Sequence, residues 1–312
     1  MVAQLCDYKL QEEVNLVLFH QAFMTCLCLM NIVSSLVTIV GNLLVIPALW
    51  KSSSLTLSMK VLFLNLAVSD LSVGLFAQPM FVVITCLMLN TAQNGGRNFD
   101  FLCPITMALF WFVLVLFASS SFFSVTAIAL DRFLAVSLHL RYSELITPRR
   151  LIITVILLWM TSAISATIFI LLPKYNDLVA VSLEASGLFL TTVAYFQIFR
   201  IARRHRNQIQ SHLQTHSNRN QATNMARLKR STFNTFYVFI VFVFCWMPSL
   251  TSFTVKEAWR SHSVEVSAAN YLAGFIVFLH SSINPFIFCW RYREIRQKAI
   301  ATLKIIFTKE PQ

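Results

Sequence analysis

Hydrophobic residues in this chain gather into seven long runs that are separated by short polar segments. Each run has a central stretch of about 20 apolar residues, which is the length that a helix needs to cross a lipid bilayer. The pattern predicts an all-α protein, a seven-transmembrane helix bundle. The predicted spans are residues 21–50, 58–89, 102–136, 150–173, 178–204, 228–256 and 265–290.

The segments outside these runs differ in charge and periodicity. Residues 1–20 carry three acidic residues and one lysine, without the basic stretch and short apolar core of a cleaved signal peptide. Residues 291–312 alternate basic and apolar side chains, which predicts a short amphipathic helix on the inner leaflet. We expect an extracellular N-terminus at 1–20, a seven-transmembrane domain at 21–290, and an amphipathic cytoplasmic helix and tail at 291–312.

Positive charge is concentrated in the segments that a seven-span topology places on one side of the membrane. Lys51 and Lys60 flank the first short loop, and the chain between Arg200 and Arg230 holds eight basic residues and no acidic one. By this topology 20 of the 25 Lys and Arg residues lie in cytoplasmic segments, as the positive-inside rule requires. We therefore expect the N-terminus outside the cell and the C-terminus in the cytoplasm.

Composition agrees with a membrane protein and argues against other classes. Hydrophobic residues make up 57% of the chain and charged residues 12%, against about 45–50% and roughly 25% in soluble domains. Seven spans occupy most of the 312 residues, so we expect no catalytic ectodomain. The net charge of +12 belongs to solvated cytoplasmic faces, so we expect membrane lipids rather than nucleic acid as partners.

Polar residues on four of the predicted spans reach similar depths in the membrane. At a rise of about 1.5 Å per residue, Asp70 and Ser121 lie roughly 15 Å above the cytoplasmic edge, Asn42 about 13 Å and Asn284 about 10 Å. Ser281 lies about one turn above Asn284. Such residues are costly in a membrane and usually mark function, although Asn and Ser also supply hydrogen bonds between helices. For Asp70 we favour a hydrated ion or proton site, and for Asn42 alone the packing role.

Short motifs in these spans resemble those of the rhodopsin-like (class A) G-protein-coupled receptors over nearly the whole chain. Each motif alone is a weak signal, but all of them occur in the family's order and on the expected spans. The motifs are Gly41-Asn42, Leu66-Ala67-Val68-Ser69-Asp70, Asp131-Arg132-Phe133, Trp159, the FxxCWxP pattern of Phe242, Cys245, Trp246 and Pro248, and Asn284-Pro285-Phe286-Ile287-Phe288.

The resemblance implies a plasma-membrane receptor that transmits binding of an extracellular ligand to a heterotrimeric G protein, with arrestin as a further candidate partner. It implies that Arg132 is released towards the G protein, is restrained at rest by Asp131, and is held in the active state by Tyr195. It also implies that Trp246 lies under the ligand and that Pro248 supplies the hinge of the sixth span. The remaining implied switch residues are Asn284, Pro285 and Phe288.

The same resemblance implies one ion site. Asp70, Ser121, Ser281 and Asn284 match the family's sodium pocket, which stabilises the resting state. An allosteric sodium ion is therefore the candidate ligand of the mid-membrane cluster, and we expect no other cofactor.

The chain departs from the family pattern at several positions. No cysteine occurs between spans four and five, so the usual disulfide cannot form, and a bridge between Cys6 and Cys103 is an open alternative. Gly187 replaces the usual proline of span five, and Phe288 lacks the hydroxyl of the NPxxY tyrosine. Leu228 stands where many relatives have an acid that restrains the arginine of span three.

The short loop before span five and the missing proline look similar to the melanocortin, lysophospholipid, cannabinoid and adenosine receptor cluster, and to cnidarian orphan receptors. The ligand-binding residues of that cluster are not present at the matching positions. Leu114 stands at the aspartate position of amine receptors, and Phe278 stands at the lysine position of opsins. We therefore expect a small or apolar ligand of unknown identity.

The candidate ligand-binding residues lie in the outer half of the predicted bundle. Glu184 is the charged residue among them, sixteen residues before Arg200 and so about 24 Å above it. It is either a counter-ion for a cationic ligand or a neutral acid bonded to Ser or Tyr, and both interpretations stay open. The candidates are Phe110, Trp111, Leu114, Val115, Ala118, Glu184, Trp246, Ser249, Phe253, Tyr271 and Phe278.

Two other functions, transport and intramembrane catalysis, are alternatives to a receptor. An ion- or proton-coupled transporter using the Asp70 cluster as a relay is the alternative, but inverted repeats or paired broken helices, which would favour it, are not visible in the sequence. An intramembrane enzyme needs a nucleophile–base or metal constellation, and His280 has neither an HExxH motif nor paired acids beside it. We therefore expect no enzymatic activity.

Overall fold

The computed structural model describes residues 14–94, 105–138, 141–172, 175–212, 219–259 and 263–308. Seven of the helices in this part of the chain are long and apolar enough to cross a membrane, which confirms the predicted bundle. Cys6 and Cys103 lie outside the described residues. The spanning helices are α1 Gln21–Trp50, α2 Leu57–Gln93, α3 Ile105–Leu138, α4 Pro148–Leu171, α5 Asn176–His212, α6 Arg219–Trp259 and α7 Val264–Arg291.

Helix starts follow local capping chemistry. The Thr147 side chain accepts a hydrogen bond from the backbone N–H of Arg150, and Pro148 occupies the first turn of α4. The Ser263 side chain accepts from the N–H of Val266 at the start of α7. Ser and Thr satisfy the free amides of a first turn, and proline has no amide to leave unpaired there. These caps explain why α4 begins two residues before its predicted start and α7 one residue before.

Helices α5 and α6 extend well beyond the predicted spans of 178–204 and 228–256. Helix α5 continues to His212, and α6 already begins at Arg219. Arg, Gln and Ala, which occur in these two extensions, are good helix formers. Continuing an existing spanning helix also requires no new nucleation.

Helix α2 contains one irregular turn that the hydrophobic pattern did not predict. Residues Val73–Ala77 form a π-helical turn immediately before Gln78 and Pro79. Proline lacks an amide and clashes with the preceding turn, and a π-bulge accommodates both. The hydroxyl of Ser35 donates to the freed carbonyl of Gly74 at 2.8 Å, which ties the bulge to α1.

A chain of hydrogen bonds between side chains docks α4 on α2 and α3. The indole N–H of Trp159 donates to Oδ1 of Asn65 at 2.9 Å. The amide of Asn65 in turn donates to the hydroxyl of Ser124 at 2.7 Å. A buried chain of this kind leaves no partner unmatched and fixes the relative positions of α2, α3 and α4.

The apolar core is divided into two main clusters along the bundle. One surrounds Phe63, Phe242 and Phe288, and the other surrounds Phe110 and Phe275. We call the end of the bundle that contains the first cluster the Arg132 end, after the arginine near the last turn of α3. The opposite end, where α6 terminates, is called the Lys256 end.

The N-terminal residues of the described chain form a helical segment that the sequence analysis did not anticipate. Residues 14–19 are helical, and Leu16 and Val17 are fully buried against the cluster that contains Phe81 and Phe275. The segment predicted simply as an N-terminus at 1–20 therefore contributes to the apolar core at the Lys256 end.

The predicted amphipathic helix after α7 is present as α8, Arg293–Thr308. Ile295 and Ala299 are buried in the core cluster of the Arg132 end, whereas Ile300 and Ile305 are exposed. One apolar face is thus packed on the bundle, and a second apolar strip is available to lipid, as expected of a helix at a membrane surface.

Glu294 attaches α8 to the loop between α1 and α2. Its carboxylate accepts hydrogen bonds from the backbone amides of Ser53 and Ser54 at 2.9 and 2.8 Å. It also accepts from the hydroxyl of Ser52 at 2.9 Å and from Nζ of Lys298 at 2.6 Å. These donors, that of Lys298 above all, hold the pKa of the Glu294 carboxyl well below its ordinary value.

Candidate functional site

Asp70 is the centre of a fully buried polar cluster between α2, α3 and α7. The hydroxyls of Ser121 and Ser281 donate to its Oδ1, each at 2.7 Å. The side-chain amide of Asn284 donates to its Oδ2 at 2.8 Å. The structure therefore brings together the four residues that the resemblance assigned to one site.

Asn42 lies beside this cluster but bonds elsewhere. Its amide donates to the carbonyl oxygen of Thr38 at 2.9 Å and to that of Ser281 at 3.3 Å. These bonds join α1 to α7, which agrees with the packing role favoured for Asn42.

Arg132 is almost completely buried at the end of α3 and is paired with its neighbour Asp131. Both Nε and Nη2 of Arg132 donate to Oδ2 of Asp131, the former at 3.0 Å. The hydroxyl of Ser58 donates to the same oxygen at 3.2 Å, and the hydroxyl of Tyr142 donates to Oδ1 at 2.6 Å. The ion pair is thus braced by α2 and by the short helix Tyr142–Leu145.

Ser58 and Tyr142 were not among the predicted switch residues. Burial and the Asp131 carboxylate raise the pKa of Tyr142 to about 12, so its hydroxyl keeps its proton and can donate at neutral pH. The side chain of Leu228, which replaces the usual acid, lies outside the described part of the structure. The sequence does show that Tyr142 follows the Asp-Arg-Phe motif closely. The spacing alone does not show that the loop turns this tyrosine back towards Asp131.

Tyr195 links α5 to α6 rather than to Arg132. Its hydroxyl donates to the carbonyl oxygen of Thr235 at 2.9 Å. Its ring stacks on Phe239 with ring centroids 4.5 Å apart. The residue assigned to the active state is therefore engaged with the sixth helix in this conformation.

The NPxxF segment of α7 packs closely against two other helices. A Cβ placed on Gly41 would lie 3.0 Å from Cγ of Pro285, so a larger residue would require α1 and the proline to move apart by a few tenths of an ångström. The Phe288 ring lies 4.8 Å from that of Phe63 on α2. Tyr292, one turn later, is buried, and its hydroxyl has no hydrogen-bond partner among the described residues.

Trp246 lies in α6, two residues before Pro248. Its ring centroid is 4.7 Å from that of Phe122 on α3 and 6.2 Å from that of Phe242. The tryptophan therefore rests on aromatic side chains that lead towards the Arg132 end.

A cavity of about 180 Å³ lies between the two apolar clusters. A single water requires about 10–15 Å³ of such space, so the cavity has room for a small organic molecule. Further lining residues that the sequence analysis missed include Asn31, Ser165, Lys256 and Asn270. The structure places all of the candidate pocket residues on its wall: Phe110, Trp111, Leu114, Val115, Ala118, Glu184, Trp246, Ser249, Phe253, Tyr271 and Phe278.

Two charged groups on the cavity wall differ in how they are satisfied. Lys256 is buried and forms an ion pair with Asp177 of α5, with Nζ and Oδ2 3.3 Å apart. Glu184 is also buried, and its Oε1 accepts a hydrogen bond from the hydroxyl of Ser249 at 3.1 Å. Its Oε2 is buried with no hydrogen-bond partner in the described part of the chain.

Comparison with known families agrees with this arrangement of seven helices, buried switch residues and a central cavity. The chain matches the model of the 7 transmembrane receptor (rhodopsin family) over residues 41–184 and 178–288. These ranges cover most of the chain, which therefore belongs to the rhodopsin-like (class A) family of G-protein-coupled receptors.

Individual members of the family are identical to this chain at about a quarter of the aligned positions. The chain is 27% identical to the adenosine receptor A2a of Homo sapiens, over 89% of this chain and 72% of that receptor. It is 25% identical to the melanocortin receptor 4 of Danio rerio, over 84% of this chain and 79% of the receptor. It is also 25% identical to the histamine H2 receptor of Rattus norvegicus, over 84% and 74%.

The family assignment settles the class of function. The protein is a multi-pass plasma-membrane receptor of a family that couples extracellular ligands to G proteins. Members of this family are receptors rather than enzymes, and the assignment does not favour the transporter alternative.

Proposed function

We propose that a small, largely apolar extracellular ligand binds in the cavity and that a movement starting at Trp246 and ending at Arg132 activates a heterotrimeric G protein. The observation that carries this proposal is that Trp246 and Phe122 belong both to the cavity wall and to the apolar cluster of the Arg132 end. These two side chains connect the cavity to that end of the bundle. The N-terminus lies outside the cell in this proposal, as the distribution of basic residues supports.

The first step acts on α6. A ligand that presses on Trp246 or Phe122 moves the segment that contains Pro248, where the missing backbone amide creates a hinge. The Tyr195 hydroxyl donates a hydrogen bond to the Thr235 carbonyl. When α6 moves, α5 therefore either moves with it or loses this hydrogen bond. Either movement alters the surroundings of Arg132, whose release from Asp131 exposes a cation for the G protein.

The second step acts on α7. Asn284 is bonded to Asp70, and Pro285 is in close contact with Gly41 of α1. Phe288 supplies an apolar contact with Phe63 instead of a hydroxyl. A shift of α7 therefore has to break the bond to Asp70, which links the switch to the polar cluster.

The residues of that cluster fit a sodium ion. Hard cations take oxygen ligands, and the cluster provides the carboxylate of Asp70 and the hydroxyls of Ser121 and Ser281. Oδ1 of Asn284 is a buried acceptor without a hydrogen-bond partner among the described residues. These four residues would hold the ion, whose positive charge would offset that of Asp70 and stabilise the resting arrangement of α2, α3 and α7.

The proposal includes two further partners at the cytoplasmic face, arrestin and the lipids of the inner leaflet. The exposed Arg203 and Arg204 of α5, together with α8, provide a surface for the G protein and, after activation, for arrestin. The exposed Ile300 and Ile305 of α8 contact lipids of the inner leaflet. Because Leu228 replaces the usual restraining acid, the proposal includes measurable coupling without ligand.

Guanine-nucleotide exchange on a panel of purified heterotrimers tests this function. The receptor is reconstituted in lipid nanodiscs and compared as wild type, Arg132→Ala and Arg149→Ala, the last being an exposed arginine outside the switch. We expect exchange above that of empty nanodiscs for the wild type and Arg149→Ala, and none for Arg132→Ala. Equal exchange by Arg132→Ala, or no exchange by correctly folded wild type on any heterotrimer, would contradict the proposal.

A further inference from the structure

We propose that the natural ligand of the cavity is an organic monocation with a largely apolar or aromatic body, and that Glu184 is its counter-ion. This inference rests on the proposed function, in which the cavity is the ligand site, and adds the chemical class of the ligand. It also fixes the ligand's orientation, with the cationic end beside Glu184 and Ser249.

The first argument is the incomplete hydrogen bonding of Glu184. A carboxylate has about four acceptor sites on its two oxygens, and the structure fills one of them, on Oε1, with the Ser249 hydroxyl. Oε2 is buried and lacks a partner within the described residues. A buried polar group that lacks a hydrogen-bond partner is unfavourable, so a donor that enters the cavity gains free energy by pairing with Oε2.

The second argument is the balance of charge around the cavity. Lys256 is the basic residue of the described lining, and Asp177 neutralises it through the ion pair at the Lys256 end. Glu184 is left as the acidic group on the wall with no ionic partner within the described residues. A wall of this composition attracts one positive charge and rejects an anion, which would face Glu184 without compensation.

The third argument is the aromatic lining. Trp246, Phe122 and Phe253 line the same cavity as Glu184. Aromatic faces attract organic cations, and the attraction is strongest for tryptophan and where water is excluded. A carboxylate combined with aromatic rings therefore suits a substituted ammonium group better than a neutral donor.

Glu184 also lies close to the switch. Ser249, which bonds it, is three residues from Trp246 on α6 and therefore about one helical turn away. Gly187 of α5, one turn after Glu184, is in contact with Phe122, which in turn lies against Trp246. A cation held by Glu184 is thus placed where it acts on the residue that begins the proposed movement.

The probe for this test is a series of phenylalkyl-trimethylammonium ions with two to six methylenes. Each cation is paired with an uncharged analogue in which carbon replaces the quaternary nitrogen, so the two differ in charge but hardly in shape. Binding is measured by the thermal stabilisation of the receptor in nanodiscs, without G protein. The variants are Glu184→Gln, which keeps the side-chain size and the bond to Ser249, and Glu265→Gln, which removes an exposed carboxylate at the same end.

We expect at least one cation to bind wild type and Glu265→Gln at least tenfold more tightly than its uncharged analogue. Glu184→Gln should fold normally and lose this preference. Equal binding of the two analogues, binding of no cation, or an unchanged preference in Glu184→Gln would overturn the proposal. Sodium chloride is compared with potassium chloride in an Asp70→Asn background, which removes the proposed sodium site. Competition by sodium that persists in this background and disappears when Glu184→Gln is added would assign Glu184 to a metal site instead and overturn the proposal.

The experiment separates this inference from the proposed function. Binding is measured without a G protein, so a charge preference that depends on Glu184 stands even if Arg132→Ala leaves nucleotide exchange unchanged. Conversely, a receptor that couples through Arg132 but shows no preference for the cation refutes the ligand class alone.

Discussion

The ring of Phe122 lies directly against the backbone of Gly187: a Cβ placed on this glycine would lie 2.2 Å from Cε1 and 2.5 Å from Cζ of Phe122. The related receptors usually have proline at this position of the fifth span. Glycine here allows α5 to approach α3 closely enough for Phe122 to lie between α5 and Trp246. The glycine at position 187 therefore lets α5 contact Phe122, and through Phe122 it reaches Trp246.

Gly187→Ala should destabilise the receptor because the added methyl group displaces the Phe122 ring. Overpacking of this kind costs about 1–3 kcal/mol, and thermal unfolding in nanodiscs should show a lower midpoint. Gly274→Ala is the matched control, since a Cβ there meets nothing within 4 Å although this glycine also lines the cavity. Equal midpoints for the two variants would show that Phe122 adjusts freely and that the contact does not constrain α5.

Asp70→Asn should abolish any response of the receptor to sodium. The wild type is expected to unfold at a higher temperature in sodium chloride than in potassium chloride at the same concentration, because only sodium fits the site we propose. The variant retains acceptor and donor atoms for Ser121, Ser281 and Asn284 but loses the negative charge, so the two salts should give the same midpoint. No difference between the salts in the wild type would remove the ion from the proposal, leaving the cluster as a packing contact.

Tyr142→Phe should raise nucleotide exchange in the absence of ligand. The hydroxyl that is removed bonds Asp131 at 2.6 Å and lies 2.7 Å from the hydroxyl of Ser58. Without it Asp131 loses its link to the short helix, and Arg132 is released more often. A lost hydrogen bond to a charged group is worth about 1.5–3 kcal/mol, which permits an increase of roughly tenfold. Tyr175→Phe, an exposed tyrosine at the opposite end, should leave exchange unchanged; the same increase there would point to a nonspecific effect.

The seven spans and the mid-membrane cluster were predictable because both follow from length and helical rise. Hydrophobic runs of sufficient length specify the helices, and counting residues from the charged edges places Asp70 and Ser121 at one depth. The cavity lining was predictable for a different reason, since it followed from matching Trp246 and Leu114 to the positions of a known family.

The other features of the candidate site depend on tertiary contacts, which a single sequence does not reveal. Lys256 was not among the predicted pocket residues, but the structure pairs it with Asp177 and buries it on the cavity wall. The brace on Asp131 depends on the path of the loop that contains Tyr142, and no periodicity describes a loop. The unpaired oxygen of Glu184 likewise appears only once the neighbouring helices are in place, so the sequence left its two interpretations open.

Glu294 gives a prediction with a defined pH dependence. Its hydrogen bonds from Lys298 and from the loop of Ser52, Ser53 and Ser54 place the pKa of its carboxyl below the ordinary value of 4.5. A carboxyl whose pKa is lower in the folded than in the unfolded state contributes stability above that ordinary value, and the contribution is lost as the pH falls through the folded pKa. The attachment of α8 should therefore persist from neutral pH down to about 4.5 and weaken only below it.

Hydrogen exchange of the Ser53 and Ser54 amides measures this attachment directly, after correction for the intrinsic pH dependence of exchange. Glu294→Gln should accelerate their exchange at neutral pH by about three- to tenfold, because charge-assisted bonds of a partly exposed group are worth roughly 0.5–1.5 kcal/mol. It should also remove the loss of protection below pH 4.5. Glu144→Gln, which alters an exposed carboxylate on the same side of the bundle, should behave like the wild type. If Glu294→Gln left both amides protected at neutral pH, the loop would be held by its own backbone and α8 would be attached through Ile295 and Ala299 alone.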